Sequence, residues 1–172
     1  MMKYFWGIWI AVFAMISCKS DDDSLQRIDQ LMNIYVKNSA GQDLLNSKKT
    51  GSFTGFSVND IFGTKDIAPV SFSLKMTADS LFYMEYLAGA KRRRLDSISP
   101  DNPGTGTSYY SRMQITYTKS TNVNDNVVDT LEIQYRNTPT VFQVSKVLYN
   151  KVPVFSKDEN APTSTNTVTI TK

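Results

Sequence analysis

The sequence contains no histidine, one cysteine and only three glutamates in 172 residues. Without histidine there is no Ser-His-Asp or Cys-His catalysis and no imidazole ligand for a metal. A single cysteine allows neither an internal disulfide nor a multi-thiolate zinc site. The net charge is small, +3 from 19 basic and 16 acidic residues. So weak a bias sets up no field for collecting nucleic acid, and that class of partner is set aside. Tryptophan is confined to Trp6 and Trp9. The length suits one ordinary domain behind a leader; two full domains would be cramped.

Hydrophobicity is concentrated at the start. Fourteen of the first 17 residues are apolar or aromatic, and Tyr4–Ile16 follows Lys3 without a charge. A basic residue ahead of roughly 7–15 apolar ones is the composition of a secretory signal peptide. The run falls short of the ~20 residues that a permanent membrane-spanning helix needs. Residues 1–17 are therefore read as a signal peptide. The run ends in Met15-Ile16-Ser17-Cys18, which resembles a bacterial lipobox, with methionine where leucine is usual. The resemblance implies cleavage before Cys18, with acyl chains such as palmitate on its sulfur and new amine. Several such chains anchor stably where one holds only marginally.

Next comes Lys19-Ser20-Asp21-Asp22-Asp23. This run resembles the export signal of Bacteroidota lipoproteins displayed on the outer face of the outer membrane. The expected organisation is a signal peptide over 1–17, an acylated flexible tether over 18–30, and one domain over 31–172.

The body alternates with period two. Val70–Met76, Arg112–Thr118 and Leu131–Arg136 each place apolar side chains on one face and polar ones on the other, the mark of a half-buried antiparallel strand. Weaker runs cover Met32–Lys37, Ser57–Phe62, Leu81–Leu87, Val141–Tyr149, Val152–Phe155 and Thr167–Thr171. Within Val141–Tyr149, Val144 and Val147 face inward together only if the strand is bulged. The one helical candidate is Leu25–Met32, with Ser24 as N-cap. Turn clusters lie between the runs, at 38–43, 99–106, 120–126 and 137–139. The expected fold is all-β, an antiparallel β-sandwich of about eight or nine strands, immunoglobulin-like or transthyretin-like.

After the first strand comes Gly41-Gln-Asp43-Leu44-Leu45. A tether, a strand, this turn and a β-rich body together resemble small Bacteroidota outer-membrane or surface lipoproteins, a group that brings no catalytic residues to carry over. In physical terms, Gly41 can take positive φ, Asp43 can accept nearby amides, and Leu44 and Leu45 can tuck under the sheets.

Catalysis finds little vocabulary here. Glu85 and Glu132 alternate away from the apolar faces of their strands, which suits cross-strand pairing with Lys75, Arg112 or Arg136 better than a carboxylate dyad. No catalytic residues, cofactor or metal are expected. Binding has more to offer. Lys91, Arg92, Arg93 and Arg94 form the one dense charge cluster, fit for sulfate, phosphate or uronate groups, or equally a solvated strand end that discourages edge pairing. Tyr109 and Tyr110 are candidates for sugar stacking, although neighbours on a strand face opposite ways. Asn122, Asn124, Asp125, Asn126 and Asp129 supply calcium-type oxygens without EF-hand spacing.

The expected protein is thus a lipid-anchored, surface-exposed, non-catalytic binding or structural module. Its partners are the membrane through its anchor, and an anionic glycan or another envelope protein. The alternatives are a periplasm-facing accessory subunit of an envelope assembly and a carboxylate-based glycan hydrolase.

Overall fold

A computed structural model describes residues 25–96, 106–159 and 161–172. The expected signal peptide over 1–17, Cys18 and the run Lys19–Asp23 expected to direct export lie outside the described residues. The described residues form eleven strands: β1 (Arg27–Asp29), β2 (Met32–Lys37), β3 (Gly55–Asp60), β4 (Ser73–Met76), β5 (Phe82–Tyr86), β6 (Arg93–Arg94), β7 (Ser108–Thr118), β8 (Val127–Asn137), β9 (Val141–Tyr149), β10 (Val152–Ser156) and β11 (Asn166–Thr171). They form a sandwich of a seven-stranded and a four-stranded sheet. Each of the nine runs expected from alternation contains a strand, although only the second half of Val70–Met76 is one; β1 and β6, three and two residues long, are additional.

The larger sheet runs β1-β9-β8-β7-β3. The outer edge of β9 is shared by β1 and β10, and that of β7 by β3 and β6. The smaller sheet runs β11-β2-β5-β4. Pairing is mostly antiparallel, but β1 lies parallel to β9 and β11 parallel to β2. Between the sheets, Met32, Ile34, Val36, Met84, Tyr86, Val168 and Ile170 meet Met113, Ile115, Tyr117, Leu131, Ile133 and Tyr135, all fully buried. The bulge in β9 is where the valines require it. Tyr135 pairs with Val144 and Gln134 with Lys146, so Ser145 is the extra residue, and Val144 and Val147 are both buried.

Two expectations are corrected at the N-terminal side. Leu25–Met32 is not a helix, and the tether does not reach residue 30. Arg27–Asp29 instead pairs with Val141–Gln143, and Met32, Ile34 and Val36 alternate into the core. The helical stripe had no core to face: Leu25 and Ile28 are 92% and 64% exposed. The open edge of β9 supplied hydrogen bonds that a short isolated helix cannot match.

Val70–Met76 is likewise not one strand. The Val70 N–H bonds to the Val58 carbonyl in the larger sheet, whereas Ser73–Met76 pairs with β5 in the smaller one. The segment crosses between sheets, and Phe72 stacks on Tyr86 at a centroid distance of 4.7 Å. Its last apolar residues, Leu74 and Met76, therefore fall on an edge strand and stay exposed.

The turn after β2 behaves as its residues dictate. Gly41 has φ of +79°. The Asp43 carboxylate accepts the Leu45 N–H at 2.8 Å and, across the fold, the Phe82 N–H at 2.8 Å. Leu44 and Leu45 are buried.

Asp29, at the end of β1, is 4% exposed and bonds Lys157 Nζ at 2.6 Å and Asn166 Nδ2 at 3.1 Å. Asn166 opens β11, so this group ties one sheet to the other. Breaking one side of a buried pair strands its partner's charge, at a cost of about 3–5 kcal/mol. Asp29→Ala is expected to lose stability on that scale in urea denaturation. Asp29→Ala with Lys157→Met should lose less than the single change; equal or greater loss would mean the pair is not what holds this corner.

Candidate anion-binding site

The basic run is set in place by a carboxylate. The Asp60 Oδ1 accepts the Phe62 N–H at 2.9 Å and its Oδ2 the Lys91 N–H at 2.6 Å, which docks the segment beside the loop after β3. Arg93 and Arg94 then pair with Tyr110 and Tyr109 as β6. Strand alternation sends successive side chains to opposite faces, so the four cations do not act as one patch.

Arg93 lies on the outer face of the larger sheet, its guanidinium 4.2 Å from the Phe62 centroid. Phe62 meets Tyr110 edge-on at 5.1 Å. On the same face, Arg112 is 5.4 Å from the Tyr110 centroid and donates to Glu132 Oε2 from Nε (3.0 Å) and Nη2 (2.7 Å). Arg92 sits elsewhere. It covers the stacked Tyr135–Phe142 pair, 4.9 and 4.6 Å from the two centroids, and donates to Gln30 Oε1 at 2.5 Å. The Lys91 side chain is exposed, and Arg94 is half-buried in its pairing with Tyr109.

A guanidinium lying flat on a ring is held by the quadrupole on its face, and its N–H edge is the part that meets a carboxylate, phosphate or sulfate. Register extends this surface. Arg93 is opposite Tyr110, Tyr110 opposite Gln134 and Gln134 opposite Lys146. That row crosses four strands, with steps of about 4.8 Å. It begins and ends on a cation.

The other sequence candidates are drawn apart. Tyr109 packs against the core while Tyr110 lies on the outer face, so the two rings form no common platform. Glu85 pairs with Lys75 at 2.9 Å and Glu132 with Arg112 at 2.7 Å, on different sheets. The asparagine loop uses its own oxygens: Asn122 Oδ1 accepts the Asn124 N–H, and Asp125 accepts the Ser120 hydroxyl at 2.7 Å. Among the described residues no three acidic or sulfur side chains converge as a metal site would need.

Comparison with known proteins adds nothing to this geometry. No family model, curated protein or solved structure matches the chain.

Sequence reasoning identified the cations but missed Gln30, Phe62, Tyr135 and Phe142, which come from four separate segments. It also missed a second polar cluster at the other end of β7 and β8. There Asp129 accepts the Tyr149 hydroxyl at 2.6 Å, Asn150 Nδ2 at 2.6 Å and the Lys172 ammonium. Burial by itself raises the Asp129 carboxyl, but hydrogen bonds from Asn150, Lys172 and Tyr149 outweigh it and hold the group below the usual aspartate range. Burial pushes the Tyr149 hydroxyl above the phenol range, so it stays a neutral donor to Asp129.

The sign of the resulting pH dependence follows. A carboxyl with a lower pKa folded than unfolded stabilises the fold above the unfolded value of about 3.9. That contribution is lost as pH falls through the folded value. Acid titration of the wild type should show this loss, and Asp129→Asn should flatten it while lowering stability at neutral pH by about 1–3 kcal/mol. An unchanged acid limb in Asp129→Asn would assign the loss to other carboxylates.

Proposed function

We propose that this chain is a lipoprotein, acylated at Cys18 and displayed on the outer membrane, whose β-sandwich is a non-catalytic binding module for an anionic ligand. One observation carries the ligand class: Arg92 and Arg93 are each fixed on aromatic faces by residues distant in sequence. Side chains held this way lose less freedom on binding than a flexible basic tail does, so more of the contact energy appears as affinity. The row from Arg93 through Tyr110 and Gln134 to Lys146 favours an extended ligand, such as a sulfated or uronate-bearing polysaccharide, over a single small anion. Tethering lowers the affinity such a module needs, because anchor and ligand share one surface.

A second reading, a periplasm-facing subunit of an envelope assembly, draws on a different feature. Leu74 and Met76 leave 48% and 57% of their surface exposed on the edge strand β4, and exposed apolar edges commonly mark protein contacts. Orientation separates the two readings. Protease digestion of the wild type on intact cells, with protection on changing Asp21, Asp22 and Asp23 to alanine, fits the surface module; digestion only after lysis fits the subunit.

Two outcomes are expected on the surface reading. Cys18→Ala should abolish acyl labelling and leave the leader uncleaved, and labelling that persists would overturn the anchor. Arg92→Gln and Arg93→Gln should each weaken binding to an immobilised sulfated polysaccharide by about tenfold, the scale of one charge-assisted hydrogen bond. Equal binding by wild type and both variants would remove the anionic ligand.

A further inference from the structure

At the end of the sandwich away from the arginines, the Lys172 ammonium is enclosed by three rings. Its Nζ stands 4.7 Å from the centroid of Tyr117, 5.4 Å from Phe53 and 5.7 Å from Tyr149. The Asp129 carboxylate completes the enclosure. Each wall comes from a different place: Tyr117 from β7, Asp129 from β8, Tyr149 from β9, and Phe53 from the segment before β3. All four are at least nine-tenths buried.

An ion pair needs only the carboxylate, yet here three rings converge on one ammonium. The rings and the carboxylate also have contacts of their own. Phe53 stacks on Tyr117 at 4.6 Å with planes 24° apart. Tyr149 is fixed by its own bond to Asp129, and Asn150 holds the second carboxylate oxygen while its Oδ1 accepts the Thr130 N–H. None of these contacts runs through Lys172, so removing its side chain would open a hollow lined by ring faces and the Asp129 carboxylate. Such a hollow selects an ammonium ion: aromatic faces attract cations, strongly so where water is excluded, and a buried carboxylate without a counter-charge is costly. Lys172 itself lies just past β11, its backbone joined to β2 by one bond from its N–H to the Lys37 carbonyl at 2.8 Å.

We propose that Phe53, Tyr117, Asp129 and Tyr149 form a binding site for a primary alkylammonium group, which Lys172 occupies from within the same chain. A lysine side chain of a partner, or a free amine with a similar aliphatic stem, fits the same cage once Lys172 swings out. This site is independent of the anion-binding surface proposed around Arg92 and Arg93, about seven residues of strand away along β7.

The test is chemical rescue in the full-length chain. Lys172→Gly keeps the backbone N–H and empties the cage. Adding n-butylammonium should raise the denaturation midpoint of this variant and saturate, with half-effect on the order of millimolar, the range open to a five-atom ligand. 1-Butanol and potassium chloride at equal concentration should not reproduce it, and adding Asp129→Asn should weaken the response about tenfold. A lysine-containing peptide that rescues at lower concentration than butylammonium would identify a protein partner as the source; rescue by the amine alone would identify a small ligand. A response no larger than the butanol and salt controls overturns the proposal. If Lys172→Gly does not fold, the wild type decides by NMR. Its Lys172 ε-methylene protons, shielded by the rings, should move to their open-chain shift as butylammonium displaces them, and failure to move at hundreds of millimolar amine overturns the site.

Discussion

Four aspartates are buried among the described residues, Asp29, Asp43, Asp60 and Asp129, and the fold depends on what each has been given to hold. A carboxylate removed from water must be met by donors on both oxygens or it costs several kcal/mol. Asp43 and Asp60 solve this in the same way. One oxygen closes the local turn on the N–H two residues ahead, and the other accepts a backbone N–H from a distant segment, Phe82 or Lys91. Asp29 and Asp129 solve it with side chains, each meeting a lysine and an asparagine. In every case at least one donor arrives from a distant segment that alternation alone leaves free to shift, so the cost of burial becomes a constraint on register.

That constraint matters most at the chain ends. β1 and β11 are both added in parallel to the edge of an antiparallel neighbour, and neither is fixed by a hairpin turn. Asp29 of β1 reaches Asn166 of β11, and Lys157 bonds both of them. The two sheets are thereby clasped where their sequence separation is greatest. An apolar contact there is tolerant of sliding by a residue; a buried carboxylate with fixed donors is not.

The legible part of the fold was the part written in period two. Val144 and Val147 forced a bulge, and the outward glutamates found Lys75 and Arg112 because alternation fixes which residues share a face. What escaped was anything decided by pairing rather than by pattern. Arg27–Asp29 carries no strand signal; it is a strand because the edge of β9 was open. Val70–Met76 reads as a single strand because both of its halves alternate, and nothing local marks Phe72 as the crossing point. At the site, the cations stood out as a run of four, but the rings beneath Arg92 and Arg93 come from Phe62, Tyr135 and Phe142. Each of these looks like ordinary core in its own segment.

The two ends of the molecule use the same physics to opposite effect. At both, a cation rests on aromatic faces. Lys172 has a carboxylate of its own in Asp129, and the cage around it is electrically closed. At the arginine end, Asp60 and Glu132 are already engaged. Asp60 is occupied by backbone amides, and Glu132 takes both donors of Arg112 and the amide of Gln134. Arg92 and Arg93 rest instead on ring faces, whose quadrupoles hold a guanidinium without neutralising it. On the reading proposed above, an external anion would complete what the rings begin, because Asp60 and Glu132 at that end already hold other partners.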